Sequence, residues 1–210
     1  MKMEFCDSIV YSKSYSLPAV NCSEVLRYAG IGKTDAPSAE ISALLEECLA
    51  ECEKEGVFSP KVSYRYLPVD FREENRIDFN YVDLESANLK KNLNGCDYCI
   101  FFAASVGFGI DRMILKYNKT NSAKALILQA LGAERVEAVC DMLCADEEVI
   151  PKGYKGRPRF SPGYGDVPLE FQKKLLPLVD ADKNLGISLN ESLLMSPSKS
   201  VTAIVGIEKL

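Results

Sequence analysis

Histidine and tryptophan are both absent from this sequence of 210 residues. The absence of histidine excludes catalytic triads, metal sites and general bases that depend on an imidazole ring. Acid–base or ligand-binding chemistry must therefore come from carboxylates, cysteine, tyrosine, lysine or arginine. We predict no catalytic residue in the acid–base sense.

Positive charge is also scarce. The 25 Lys and Arg residues are outnumbered by 30 Asp and Glu residues, and the net charge is −5. A nucleic-acid-binding domain carries a basic patch, so we expect no nucleic-acid partner. No apolar run approaches the roughly 20 residues that span a bilayer. The first residues lack the apolar region of a secretory signal. We therefore expect a cytoplasmic protein with no membrane partner.

Cysteine, by contrast, is plentiful, with eight residues. Two pairs spaced four residues apart lie on the apolar stripes of predicted helices, and Cys96 and Cys99 form one C-x-x-C. A single C-x-x-C without a second at zinc-ribbon spacing is a weak metal signal. We expect reduced, mostly buried thiols and no metal site. The alternative is an iron–sulfur or zinc protein that uses Cys96, Cys99 and the helix cysteines.

The order of predicted elements favours an α+β fold, a single domain over residues 1–210 with a mixed or antiparallel sheet and long helices. Apolar periodicity and capping residues predict the helices, and alternation of apolar and polar residues predicts the strands. The predicted helices are Val20–Gly30 with Asn21 or Ser23 as N-cap, 37–56, 86–95, one after Gly109, Ser122–Asp146 with Gly132 as a candidate joint, and a short one after Asp166. The predicted strands are 61–69, 76–84, one that begins near Asp97, and two around a turn at 196–199.

Two local motifs invite a functional interpretation that we disfavour. Gly107 and Gly109 form a G-x-G between a buried strand and a helix, but the third glycine and the downstream acidic residue of a dinucleotide site are missing. We expect a tight turn there. Ser196 and Lys199 match the S-x-x-K of serine acyl enzymes, yet they lie in a predicted strand turn rather than at a helix start.

The most informative segment is RFSPGYGD, from Arg159 to Asp166. Pro162 and Gly163 suit a tight turn, which can hold Arg159 and Tyr164 at either end, facing one small concave volume. A guanidinium binds carboxylate or phosphate, and a tyrosine offers a flat ring and a hydroxyl. The segment predicts a clamp for a small ligand with an anionic end. The alternative is a surface loop with a solvated arginine.

This segment, together with LNESLLMSPSKSV at 189–201, resembles the activation domain of cobalamin-dependent methionine synthase. That family has an Arg-x-x-Pro-Gly-Tyr signature, then a helix, a Leu-x-Glu-Ser run and a Ser-Val strand start. Upstream, ALGAERVEAVCDML looks like the family's long helix and places Glu137 at a ligand-facing position. The specific likeness covers roughly residues 125–207. We distinguish a looser N-terminal half, 1–120, from a ligand-motif half, 121–210.

The resemblance implies binding of S-adenosylmethionine beside a cobalamin carried by a partner. By this likeness Arg159 would pair with the methionine carboxylate and Tyr164 would contact the ligand. Gly163 belongs to the same turn, the backbone at Ser161 would meet the adenine or amino group, and Glu137 would bind the amino group. For an N-terminal ligand-contacting aspartate the candidates are Asp70 and Asp78, which no motif supports.

The implied function is that of a stand-alone reactivation module for a methionine synthase that lacks this domain, or for another corrinoid protein. A flavodoxin-like protein would donate the electron for reductive remethylation of cobalamin. The alternative is a non-catalytic partner of a corrinoid protein that has lost the S-adenosylmethionine site. The departures at Phe160, Ser161 and Gly165 from the family's usual pattern motivate that alternative.

Overall fold

The computed structural model describes residues 5–31 and 37–210. Within these ranges the chain forms helices and strands in the order of an α+β protein. The strands are β1 (Tyr11–Ser14), β2 (Lys61–Pro68), β3 (Asp70–Phe71), β4 (Arg76–Asp78), β5 (Asp83–Glu85), β6 (Cys96–Ser105), β7 (Tyr154–Gly156), β8 (Ser188–Leu189), β9 (Met195–Ser196) and β10 (Ser200–Lys209). The helices are α1 (Cys22–Tyr28), α2 (Ala39–Cys52), α3 (Ala87–Asn92), α4 (Gly109–Asn118), α5 (Ser122–Ala145), α6 (Gln172–Leu178) and α7 (Ala181–Leu185), with a 3-10 turn at Leu169–Phe171.

A five-stranded sheet in the order β1-β2-β6-β10-β7 forms the centre of the molecule, and every pairing in it is antiparallel. The two longest strands, β6 and β10, lie side by side, with Phe101 opposite Ile204 and Ile100 opposite Val205. Strand β6 is buried from residue 99 to residue 105. A strand covered on both faces reads as a continuous apolar run, and CIFFAA has that character.

Each face of the sheet carries its own apolar core. Successive side chains of a strand point to opposite faces, so Ile100 and Phe102 pack on one side and Cys99 and Phe101 on the other. The first face is covered by α1, α2, α4 and α5. The second is covered by α3, α6, α7 and the small sheet β3-β4-β5. The predicted α+β class is confirmed, and the sheet is antiparallel.

Helices α1, α2 and α3 begin within two residues of their predicted starts. The side chains of Asn21, Ser38 and Ser86 accept hydrogen bonds from backbone N–H groups three residues on, which satisfies donors that have no partner within the helix. Helix α5 runs through Gly132 without interruption, so the candidate joint is not used.

Two strand predictions were wrong in detail. The run 76–84 is two short strands, β4 and β5, because the chain reverses at Asn80, which adopts a φ of 72°. The tail strands do not pair with each other across residues 196–199. Strand β9 pairs with β8, whereas β10 enters the central sheet beside β6. Among the described residues, no helix is both long and apolar enough to cross a membrane.

Candidate functional site

One side of α5 forms the floor of an open cleft of about 520 Å³. The floor residues recur at helical spacing from Glu134 to Ala145 and lie on one face of the helix. We call this space the α5 cleft. Its lining is Pro18, Ala19, Asn21, Glu24, Tyr28, Glu134, Glu137, Ala138, Asp141, Met142, Ala145 and Arg159.

Arg159 reaches the α5 cleft from the extended segment that follows β7. Its Nη2 donates to Glu137 Oε2 at 2.7 Å, and its Nη1 lies 2.9 Å from Asp141 Oδ1. Burial by itself would lower the pKa of Arg159. Electrostatic interactions with Cys140, Glu137 and Asp141 outweigh this effect, so the pKa is raised. Arg159 therefore stays charged, and two carboxylates of α5 already hold it in place.

The structure brings Arg159 and Glu137 together, as the sequence suggested, but it separates Arg159 from Tyr164. The segment before the motif turn continues alongside β10, where Phe160 and Ile204 exchange backbone hydrogen bonds. Neighbouring side chains of an extended chain point to opposite faces. Arg159 consequently faces α5, while Phe160 enters the second core and Tyr164 packs edge-on against it, with ring centroids 5.4 Å apart. The expectation that Arg159 and Tyr164 face one volume was wrong.

The motif turn is held by its own backbone. Gly163 adopts a φ of 85°, which favours glycine, and its N–H donates to Val167 O at 2.9 Å. The N–H of Tyr164 donates to Ser161 O at 3.0 Å. Asp166 then accepts from the N–H of Ala87 at 2.8 Å and from the Ser86 hydroxyl. The turn is thereby fastened to the start of α3.

Tyr164 lines a separate cleft of about 690 Å³ on the other side of the segment. Tyr164 is 68% exposed. We call this space the Tyr164 cleft, and its remaining lining is Asn88, Lys91, Asn92, Arg157, Pro158, Phe160 and Gly165. Arg157 is held there by the Asn94 carbonyl and Glu208.

Sequence reasoning missed the N-terminal wall of the α5 cleft, which runs from Pro18 to Tyr28. Tyr28 places a partly exposed ring there, and burial together with the negative charge of Glu137 raises its pKa. Nothing in the local sequence points to this wall, because it reaches α5 only through tertiary packing. The two aspartates suggested instead lie elsewhere. Asp70 and Asp78 are on β3 and β4, where both pair with Arg72.

The cysteines are all free thiols. Among residues 5–31 and 37–210, no group of three or more cysteine or carboxylate side chains is arranged to hold a metal ion. Burial raises the pKa of Cys99 and Cys140. Their surroundings in the two cores are those of small apolar side chains.

The two disfavoured motifs are used for packing and surface hydrogen bonds. A Cβ on Gly109 would lie 2.3 Å from the carbonyl oxygens of Gly56 and Val57, so the start of α4 is filled by backbone and leaves no room for a phosphate. Lys199 donates to Gln129, and Ser196 lies on β9, where it is paired with Ser188 of β8.

Comparison with known proteins gives a consistent result. A family model described as the activation domain of vitamin B12 dependent methionine synthase matches residues 75–209. A solved structure described as the MetH reactivation domain bound to AdoHcy superposes with a TM-score of 0.67 at 18% identity, covering 94% of this chain and 78% of that one. No curated protein sequence matches. Because this family model matches more than half of the chain, the chain belongs to the family of activation domains of vitamin B12 dependent methionine synthase.

Proposed function

We propose that this chain binds S-adenosylmethionine in the α5 cleft and serves as a free-standing reactivation module for a cobalamin protein. The observation that carries the proposal is the placement of Arg159 and Glu137 in one cleft, 2.7 Å apart. A guanidinium and a carboxylate side by side match the carboxylate and ammonium groups of an amino acid.

The α5 cleft suits this ligand in size and charge. Its volume of about 520 Å³ lies in the ordinary range for small-molecule sites. Its lining holds four carboxylates and one guanidinium, while S-adenosylmethionine carries a sulfonium and an ammonium against one carboxylate. Asp141, whose side chain is 75% exposed, can move aside to free Arg159 Nη1 for the ligand carboxylate.

The chemistry requires positioning more than proton transfer. S-adenosylmethionine would supply a methyl group on a positively charged sulfur to the reduced cobalt of a cobalamin held by the partner. The residues of this chain would fix the amino-acid end of the ligand and leave the methyl group accessible, a role that depends on orientation. The partner would be a methionine synthase without this domain or another corrinoid protein, and a flavodoxin-like protein would supply the electron. Eight free thiols support a reducing compartment, the cytoplasm.

One observation favours a second candidate function, in which this chain binds a corrinoid protein but has lost its S-adenosylmethionine site. Arg159 is already paired with Glu137 and Asp141, and Tyr164 lies outside the α5 cleft. If these ion pairs persist in the presence of S-adenosylmethionine, Arg159 cannot bind the ligand carboxylate.

Calorimetric titration with S-adenosylmethionine tests the proposal, with the Arg159→Met and Arg157→Met variants in parallel. Both arginines are about one-quarter to one-third exposed and ion-paired, but only Arg159 lines the α5 cleft. We expect micromolar binding by the natural protein and affinity about tenfold to a hundredfold lower in Arg159→Met, as for a lost charged hydrogen bond. Arg157→Met should bind as the natural protein does.

Two results would contradict this assignment. Loss of binding in Arg157→Met but not in Arg159→Met would place the ligand in the Tyr164 cleft. No binding by the natural protein, combined with capture of a corrinoid protein, would favour the second candidate.

A further inference from the structure

Helix α5 also carries a buried ion pair beside the α5 cleft, and its carboxylate, Glu134, is part of the cleft lining. Glu134 and Arg135 are adjacent in sequence, and their side chains are only 8% and 3% exposed. Arg135 Nε donates to Glu134 Oε2 at 2.5 Å, and its Nη2 donates to Glu134 Oε1 at 2.6 Å. Burying two charges is costly unless further hydrogen bonds satisfy them, so their remaining partners are informative.

Those partners all lie in the N-terminal wall of the α5 cleft. Arg135 Nη1 donates to Pro18 O at 2.6 Å, and Nη2 donates to Ala19 O at 3.3 Å. Glu134 Oε1 accepts from the N–H of Asn21 at 3.0 Å. Three attachment points, at Pro18, Ala19 and Asn21, thus join the segment just before α1 to α5, across more than a hundred residues of sequence.

We propose that Glu134 and Arg135 are positioning residues that fix the Pro18–Asn21 segment as a wall of the α5 cleft. The inference rests on the proposed function, because it assigns the wall a role in holding S-adenosylmethionine. Arg135 acts through the wall and touches no ligand. Only a planar guanidinium can donate in fixed directions to two neighbouring carbonyls and one carboxylate at once.

Helix α1 also packs against α5 through the buried Val25, while these hydrogen bonds fix the segment just before it. Asn21 is the N-cap of α1, and a helix of seven residues has little stability of its own. The position of Tyr28 in the cleft therefore depends on where α1 begins. Release of the Pro18–Asn21 segment would move the Tyr28 ring away from Glu137, although Arg159 and Glu137 themselves would be unchanged.

The test compares Arg135→Met with the double variant Glu134→Gln, Arg135→Met. The double variant leaves no unpaired buried charge, so it keeps the folded state accessible if the single variant does not fold. Lys124→Met is the matched control. Lys124 is also on α5, its side chain is 3% exposed, and it pairs with Glu47 and Glu51, away from the wall.

Hydrogen exchange of the α1 amides is measured first, without ligand. We expect exchange about tenfold faster or more in both Arg135 variants, since each lost charged hydrogen bond is worth about a factor of ten. Titration should then show affinity for S-adenosylmethionine about tenfold lower or more, as expected for a displaced binding wall. Lys124→Met should change neither quantity.

Unaltered α1 exchange in the double variant would overturn the inference, and so would faster exchange with unchanged affinity. Failure of the natural protein to bind S-adenosylmethionine would instead overturn the proposed function, and with it the ligand role of the wall. The exchange measurement separates the two failures because it needs no ligand.

Discussion

Arg159 is held between two carboxylates of α5, and its behaviour depends on which of them a ligand can displace. Glu137 is 38% exposed and bonds to Nη2, whereas Asp141 is 75% exposed and approaches Nη1. Exposed ion pairs contribute little to stability, about 0 to 1 kcal/mol. Under the proposed function, a ligand carboxylate would replace Asp141 at small cost while Glu137 would stay to meet the ammonium group.

The pKa values of the cysteine thiols give a prediction at the level of single residues. Burial raises the pKa of Cys48 to about 11 and that of Cys52 to about 12, and it also raises those of Cys96, Cys99, Cys140 and Cys144. A raised pKa keeps the thiol protonated at neutral pH, and only the thiolate is an effective nucleophile. In Cys6, by contrast, the hydrogen bond with Ser8 lowers the pKa.

We expect iodoacetamide at pH 7.5 to modify Cys6 and the exposed Cys22 quickly, and the other six thiols only after unfolding. Mass spectrometry of the labelled peptides before and after addition of urea provides the measurement. Rapid labelling of Cys96 or Cys99 in the folded protein would contradict this. Stoichiometric metal in protein purified without oxygen would revive the iron–sulfur or zinc alternative.

At the level of secondary-structure elements, α5 joins three parts of the molecule. Its first turns hold α2 through Lys124, its middle holds the N-terminal wall through Arg135, and its outer face meets Arg159. Strand β10 has a comparable role, because it pairs with β6 on one side and with β7 and the motif segment on the other. The α5 cleft lies between α5, the N-terminal wall and Arg159.

The close approach of α4 to the loop before β2 gives a prediction for Gly109. A Cβ there would lie 2.3 Å from two backbone oxygens, which cannot yield as a flexible side chain would. We expect Gly109→Ala to lower the free energy of unfolding by about 3 kcal/mol or more, measured by urea denaturation.

Gly56→Ala is the control for this change. Gly56 has a φ of 80° but no atom within 4 Å of an added Cβ, so the cost should be only the backbone strain, about 1 kcal/mol. Equal effects of the two substitutions would show that the contact between α4 and the loop is not tight.

At the level of the whole molecule, we propose that residues 1–210 form one cooperative unit, although the family model begins at residue 75. Eight residues of β2 pair with β6, and the N-terminal segment supplies a wall of the α5 cleft. Removing them would leave β6 as a long apolar edge, which favours aggregation.

We therefore expect a 75–210 fragment to show no cooperative thermal transition and no binding of S-adenosylmethionine, while the full chain unfolds in a single transition. Circular dichroism and calorimetry test both statements. A fragment that folds on its own would divide the chain near residue 75, well before the boundary at residue 120 between the looser and ligand-motif halves predicted from the sequence.

The features that sequence could predict are those determined within a few residues. Caps at Asn21 and Ser38 depend on backbone donors three positions away, and the apolar stripe of α5 is visible in its spacing. The separation of Arg159 from Tyr164 was hidden, because it follows from pairing with β10 more than forty residues later. The N-terminal wall was hidden for the same reason, since Arg135 finds Pro18 at a separation of 117 residues.

That separation has a consequence for the protein during its synthesis. The wall residues leave the ribosome more than a hundred residues before the floor of the cleft. Arg159 comes later still, and β10, which pairs with its segment, follows it. A nascent chain that ends before β10 therefore has both sides of the cleft but lacks the strand that holds the Arg159 segment in place.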